Sequence, residues 1–150
     1  MTIAMRRWTW PRVLKLNLPS EWEVSVEGNR AEVIPPGGES AVHISVFWRS
    51  NDSVPRAGEA TEFVREFAEL LMVTTEPEAE RMRAGQRVSR LLNGRSKGGP
   101  STWDIEAQMW PDRAFVCTYV REVADSPMLG QVHEMWASIV PLDASSGHEN

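Results

Sequence analysis

One cysteine, one tyrosine and three histidines among 150 residues close several chemistries before any pattern is read. Cys117 alone cannot form an intramolecular disulfide or supply a cysteine-rich zinc site, so stability has to come from an apolar core. No run approaches the roughly 18 uninterrupted apolar residues of a membrane-crossing helix. Residues 1–11 carry Arg6 and Arg7 followed by Trp-Thr-Trp-Pro in place of an apolar stretch; they are read as an N-terminal extension rather than a signal peptide, with the cytoplasm as the expected compartment. The sequon-like Asn51-Asp52-Ser53 then reads as a polar loop. Basic residues are outnumbered, 16 against 21 acidic, and a net charge of −5 argues against generic nucleic-acid binding, which needs a basic surface. His43, His133 and His148 lie far apart, and His133-Glu134 lacks the second histidine of a zinc helix motif. No cofactor or metal is expected.

What is present is an ordinary globular composition, 41% hydrophobic and 25% charged, read as one domain over residues 1–150 with a frayed tail at 143–150. Residues 57–71 hold the most regular pattern. Ala60, Phe63, Val64, Phe67, Ala68 and Leu71 recur at helical spacing on one stripe. Burying the larger ones is worth roughly 1.5 to 3 kcal/mol each, which requires a sheet beneath them. Glu59, Glu62, Glu66 and Glu69 form a second stripe on the opposite side, either solvated or facing a cation.

Strand signals surround this helix. Leu14, Leu16 and Leu18 alternate with polar residues until Pro19. Residues 23–26, with Trp22, Val24 and Val26 on one face, join 30–34 through Gly28-Asn29 as a hairpin that Pro35-Pro36-Gly37-Gly38 ends. In 41–48, Val42, Ile44, Val46 and Trp48 take the core side. Ser53 and Pro55 fit the start of the helix. The stretch 73–86 is open between helix and loop, with Gly85 against continuity; 87–92 is a strand ending at Asn93-Gly94. Trp103, Ile105, Ala107 and Met109 alternate with Asp104, Glu106 and Gln108, and Pro111-Asp112-Arg113 turns the chain into a strand over 114–120. Asp125 or Ser126 caps a last helix whose apolar face is Leu129, Val132, Trp136, Ile139 and Val140, ended by Pro141. The predicted fold is α+β: an antiparallel sheet of about six to seven strands, a long helix after the fourth strand, and a C-terminal helix packed on the sheet.

Reactive constellations are weak. Gly94-Arg95-Ser96-Lys97-Gly98 matches the nucleophile elbow literally, but Gly98-Gly99-Pro100 follows where a helix is required, and the same loop lacks P-loop spacing for phosphate. Asp104 and Glu106 have the separation of a paired-carboxylate site, yet read as the solvated side of an amphipathic strand. Cys117 has no basic neighbour in sequence and reads as a buried thiol. No catalytic residue is assigned. Charge, by contrast, is segregated: Arg81, Arg83, Arg87, Arg90, Arg95 and Lys97 are six of the sixteen basic residues, with no acid among them, and Glu76, Glu78 and Glu80 lie just before. Either these arginines meet the acidic stripe of the helix or solvent, or they dock an acidic partner.

"LKLNLPSEWEVSVEGNRAEVIPP", "LLNGRS" and "HEMWASIVPL" resemble the opening strand with its Leu-Pro, the mid-chain strand ending at Asn-Gly, and the closing helix of the PsbP-like superfamily. That superfamily includes the photosystem II extrinsic subunit, a nuclear Ran-binding factor and many small bacterial proteins. The resemblance covers residues 13–142 and implies an antiparallel sheet with helices on its faces, usually without enzymatic activity. The lipobox cysteine of lipoprotein relatives is lacking, and no functional residue carries over. The expected function is therefore a non-catalytic protein-binding module, adaptor or chaperone-like, with a protein partner. Its candidate docking residues are Glu59, Glu62, Glu66, Glu69, Arg81, Arg83, Arg87 and Arg90, and a homodimer stays open. The alternative is a small-ligand binder or enzyme.

Overall fold

The computed structural model describes residues 3–37, 40–49, 54–83, 86–122 and 127–143. The cap signals at Ser53, Asp125 and Ser126, the sequon, Gly38, Gly85, His148 and the tail beyond Asp143 lie outside them. The described elements run β1 (Met5–Trp10), β2 (Leu14–Pro19), β3 (Glu23–Glu27), β4 (Arg30–Ile34), β5 (Ala41–Trp48), α1 (Glu59–Leu70), β6 (Arg81–Arg83), β7 (Gln86–Arg95), β8 (Thr102–Met109), β9 (Arg113–Arg121), α2 (Leu129–Ala137) and β10 (Val140–Pro141). The fold is α+β, with a three-stranded and a seven-stranded sheet, both antiparallel where pairing is resolved. Two compact units divide the chain, Met1–Glu23 with Asp125–Asn150, and Val24–Ala124.

In the first unit β2 is central, in the order β1-β2-β10. The segment expected to be an N-terminal extension is a strand, so α1 follows the fifth strand and not the fourth. A three-residue connection, Pro11-Arg12-Val13, makes the hairpin. Arg12 takes the left-handed conformation at φ 70, and the Val13 amide donates to the Trp10 carbonyl at 2.9 Å. The apolar row Leu14, Leu16 and Leu18 is fully buried. Helix α2 lies against β2, which belongs to the small sheet. It buries Val132, Met135 and Trp136. Val140 and Pro141, expected to finish the helix, instead pair with Lys15 and Leu14 as β10, after Ser138 has capped the helix with a hydroxyl bonded to the Met135 carbonyl at 2.6 Å.

The second unit contains the large sheet, ordered β3-β4-β5-β9-β8-β7-β6. The apolar stripe of α1 buries Ala60, Val64 and Ala68 on Leu91, Ile105, Ala107, Met109, Ala114 and Val116. Phe47 of β5 meets Phe63 and Phe67 with ring centroids 5.4 and 5.8 Å apart. The opposite face of β5, β8 and β9 is buried as well, including Ile44, Phe115 and Tyr119. Trp48, expected in the core, is half exposed at the end of β5, where the Arg113 guanidinium lies 4.7 Å from its ring. Among the described residues of the open stretch 73–86 there is no helix; Val73 is bridged to Ser96 and β6 is paired to β7.

Strand β7 runs on past Asn93-Gly94, where it was expected to end, through an irregularity between Leu91 and Gly94. Asn93 sits at φ 55, and its amide donates to Asp104 Oδ1 at 2.8 Å, satisfying the backbone group that the irregularity frees. Gly94 is required for another reason: a Cβ there would run into the side chains of Leu91 and Val73. Gly94→Ala is therefore expected to destabilise the protein by about 1 to 3 kcal/mol. Urea unfolding reads this as a lower midpoint, and an unchanged midpoint would show that the two neighbours give way without loss.

Candidate functional site

Strand β8 places Asp104 and Glu106 on the sheet face opposite α1, and both are buried rather than solvated; Glu106 is 0% exposed. Residues on both faces of β8 are buried, so alternation along this strand does not separate core from solvent. Glu106 Oε1 accepts from Arg90 Nε at 2.8 Å, and Oε2 accepts from Arg83 Nη2 at 2.9 Å and Gln108 Nε2 at 2.7 Å. Asp104 pairs with Arg121 at 3.3 Å, and Arg121 also donates to Asn93 Oδ1 at 2.7 Å. Cys117 stands directly across from Glu106. Burial, reinforced by the Glu106 charge and opposed by Arg83 and Arg90, pushes its thiol well above the ordinary range. Such carboxylates are engaged, and such a thiol is not a nucleophile.

Two further arginine contacts anchor α1. Its N-cap is Gly58 at φ 86, which has no side chain to accept from the helix amides. Glu80 supplies the acceptor from the following segment, taking the Gly58 amide at 2.8 Å and the Ala60 amide at 3.0 Å, where helix-terminal donors favour an anion. Arg87 closes this contact, reaching Glu80 at 3.1 Å and the Pro55 carbonyl at 2.9 Å. Glu59 is met by Arg49 at 3.2 Å. Thus of the candidate docking residues, Arg83, Arg87, Arg90 and Glu59 have internal ion-pair partners, Arg81 is exposed on β6, and Glu62, Glu66 and Glu69 project outward without an ion pair among the described residues.

At its other end α1 closes through the Val73 amide to the Ala68 carbonyl at 2.8 Å and the Met72 amide to the Glu69 carbonyl at 3.1 Å. This is the double bond pattern that normally places glycine in the left-handed position. Here Met72 occupies it at φ 60, a backbone cost of about 1 to 2 kcal/mol for a residue with a Cβ. Met72 is 59% exposed and the preceding Leu70 79%. Both border open depressions on either side of Glu69. One, of about 460 Å³, is lined by Ala68, Met72, Val73, Thr74 and Thr75 and rimmed by Arg65, Glu69, Glu76 and Lys97; the other, of about 340 Å³, is formed by Glu66, Glu69 and Leu70. Arg65 and Glu76 form an exposed pair at 3.3 Å on the rim. Lys97 is held by its amide to the Met72 carbonyl at 2.8 Å. Periodicity had placed the acidic stripe but not this groove, which depends on Met72 and on the loop at Lys97.

The literal elbow at Ser96 lies within this region. Its hydroxyl accepts from Trp103 Nε1 at 2.7 Å, and β8 follows the loop rather than a helix. The His133 ring lies tilted against that of Trp136, with centroids 5.6 Å apart. His43 is pushed below its ordinary pKa by burial and Arg30, against a smaller opposing effect of Glu32. Among the described residues no three His, Cys, Asp or Glu side chains are grouped to hold a metal ion, and no helix is long and apolar enough to cross a membrane.

Removing the buried carboxylate separates a structural from a chemical role. Glu106→Ala leaves Arg83 and Arg90 facing a low-dielectric interior and is expected to lower stability by about 3 to 5 kcal/mol, with Glu106→Gln losing less. Chemical denaturation of both variants checks the order. The raised pKa also sets a sign. Above the pKa of an unfolded thiol the native state holds the extra proton, so the Cys117 contribution to stability falls as pH rises through that range. The same proton keeps the thiol inert: a disulfide reagent at pH 8 is expected to label Cys117 only once denaturant opens the fold. Rapid labelling of the native protein would contradict this.

No protein-family model matches the chain. Comparison with curated proteins gives no match either. Among solved structures, the chain is similar to a protein of Bacteroides thetaiotaomicron VPI-5482, with 13% sequence identity and a TM-score of 0.56. The match takes in 96% of this chain but spans half the length of that protein, and at this identity it shows the fold alone.

Proposed function

We propose that this protein is a non-catalytic protein-binding module, adaptor or chaperone-like, that works in the cytoplasm on a protein partner and not on nucleic acid. One observation carries the reading: the exposed apolar side chains Leu70 and Met72 stand beside unpaired carboxylates along open depressions at the end of α1. Surface of that kind suits a partner, which brings its own walls, better than a small molecule that needs enclosure. The groups on which an enzyme would draw are occupied. Glu106 and Asp104 are neutralised by arginines, Cys117 is protonated and enclosed, and the Ser96 hydroxyl is taken by Trp103. Membership of the PsbP-like superfamily is part of the same proposal; its support is the set of short segments that resemble that family and the antiparallel α+β architecture.

The test pairs an activity panel with a partner assay. Purified protein is expected to turn over no ester, phosphoester, glycoside or peptide substrate, and to bind a protein of its host saturably. Ser96→Ala and Cys117→Ala are expected to keep that binding, with melting temperatures only slightly changed. Turnover that disappears in Ser96→Ala would overturn the assignment in favour of an enzyme.

A further inference from the structure

We infer that the groove at the C-terminal end of α1 docks a basic amphipathic helix of the partner, with one apolar side chain seated on Ala68, Met72 and Val73 and its cations on Glu62, Glu66 and Glu69. The inference rests on the binding-module reading and names the surface and the chemistry of the partner.

Three observations converge on this segment. The first is the groove itself, apolar at its floor where Ala68 and Val73 are buried, and open at its rim. The second is Met72. Left-handed backbone at the close of a helix favours glycine, yet a long, flexible apolar side chain is held there in spite of the strain and is left largely in water. Methionine is the side chain best able to adapt to an incoming apolar surface. Nothing in the packing of α1 on the sheet needs it, since the contact accompanying the helix end is between Val73 and the core residues around Ala68.

The third observation is charge, which selects the sign of the partner. Along the outward face and the groove rim stand Glu62, Glu66, Glu69 and Glu76 against Arg65 and Lys97, and the rim pair of Arg65 with Glu76 is exposed, so exchanging it costs little. Spacing selects the conformation of the partner. Glu62, Glu66 and Glu69 lie about 6 and 10.5 Å apart along the axis of α1, counted from Glu62, at 1.5 Å per residue. Cations at i, i+4 and i+7 of a second helix reproduce these intervals. An extended strand presents same-face residues at roughly 6.7 and 13.4 Å and falls out of step at the third contact. A basic helix laid along α1 therefore meets all three carboxylates while an apolar side chain reaches the groove.

The probe is a labelled synthetic peptide of about 18 residues, roughly five helical turns, with leucine on one face and lysine on the other. Controls are the same peptide with glutamate for lysine, and a scrambled order. Full-length protein is expected to bind the lysine helix and neither control, more weakly as salt shortens the Debye length to about 8 Å and below. Met72→Gly keeps every charge and relieves the left-handed strain; it is expected to lose at least about tenfold in affinity while its melting temperature holds or rises. Glu62→Gln with Glu66→Gln and Glu69→Gln is expected to abolish the salt dependence at an unchanged melting temperature. Equal binding of the scrambled peptide, or full affinity in Met72→Gly, would overturn the groove. A host protein captured equally by wild type and by a variant that combines Met72→Gly with Glu62→Gln, Glu66→Gln and Glu69→Gln would overturn the groove and leave the binding-module reading standing, whereas a wild type that binds neither peptide nor any host protein sinks both.

Discussion

A carboxylate placed inside a sheet has to be neutralised there, and the interior position of Glu106 sets the arrangement of the strands around it. Two guanidiniums are drawn in, one from β7 directly and one from β6 across the short hairpin, so Arg83 and Arg90 are committed to the fold while Arg81, Arg95 and Lys97 of the same stretch stay exposed. Leaving any member alone would strand a charge in low dielectric, and for that reason the group acts as a unit. Asp104 repeats the device with Arg121, one step along the same face, and uses its remaining capacity to hold the irregular backbone at Asn93.

The same stretch also holds the helix. Glu80 and Arg87 connect the N-terminus of α1 to the sheet edge, and the hydrogen bonds at Met72 and Val73 close its other end. A helix tied at both ends and packed along its apolar stripe presents its outward face on a rigid support. Any partner that binds there loses little freedom of the host, which favours affinity from a modest area.

Charge has thus been divided between two tasks. Buried acids are matched by arginines 16 to 23 residues away in sequence, while Glu62, Glu66 and Glu69 of the outward face have no ion pair among the described residues and keep a long-range field. Unmatched surface charge contributes little to stability but speeds and selects encounter. Apolar exposure at Leu70 and Met72 adds the short-range part that charge alone cannot supply.

Periodicity in the sequence determined which residues share a face. The stripe of Ala60, Val64 and Ala68, the row of Leu14, Leu16 and Leu18, and the hairpins at Gly28 and Pro111 were all legible, because backbone geometry repeats every 3.6 or every two residues whatever surrounds it. What lay over each face was decided only by tertiary structure. Asp104 and Glu106 alternate with apolar residues as a solvated row would, and the same pattern arises when both faces are covered and arginines from another strand arrive. The strand at Met5–Trp10 was hidden because its two arginines and aromatics show no apolar alternation; its pairing with β2 supplies the order. Membership of β2 in a separate small sheet, and the helix that goes with it, depend on which edges meet, and edges carry no local signal. The groove at Met72 belongs to the same class, since a left-handed methionine and a loop about twenty-five residues on become one surface only when the chain has folded.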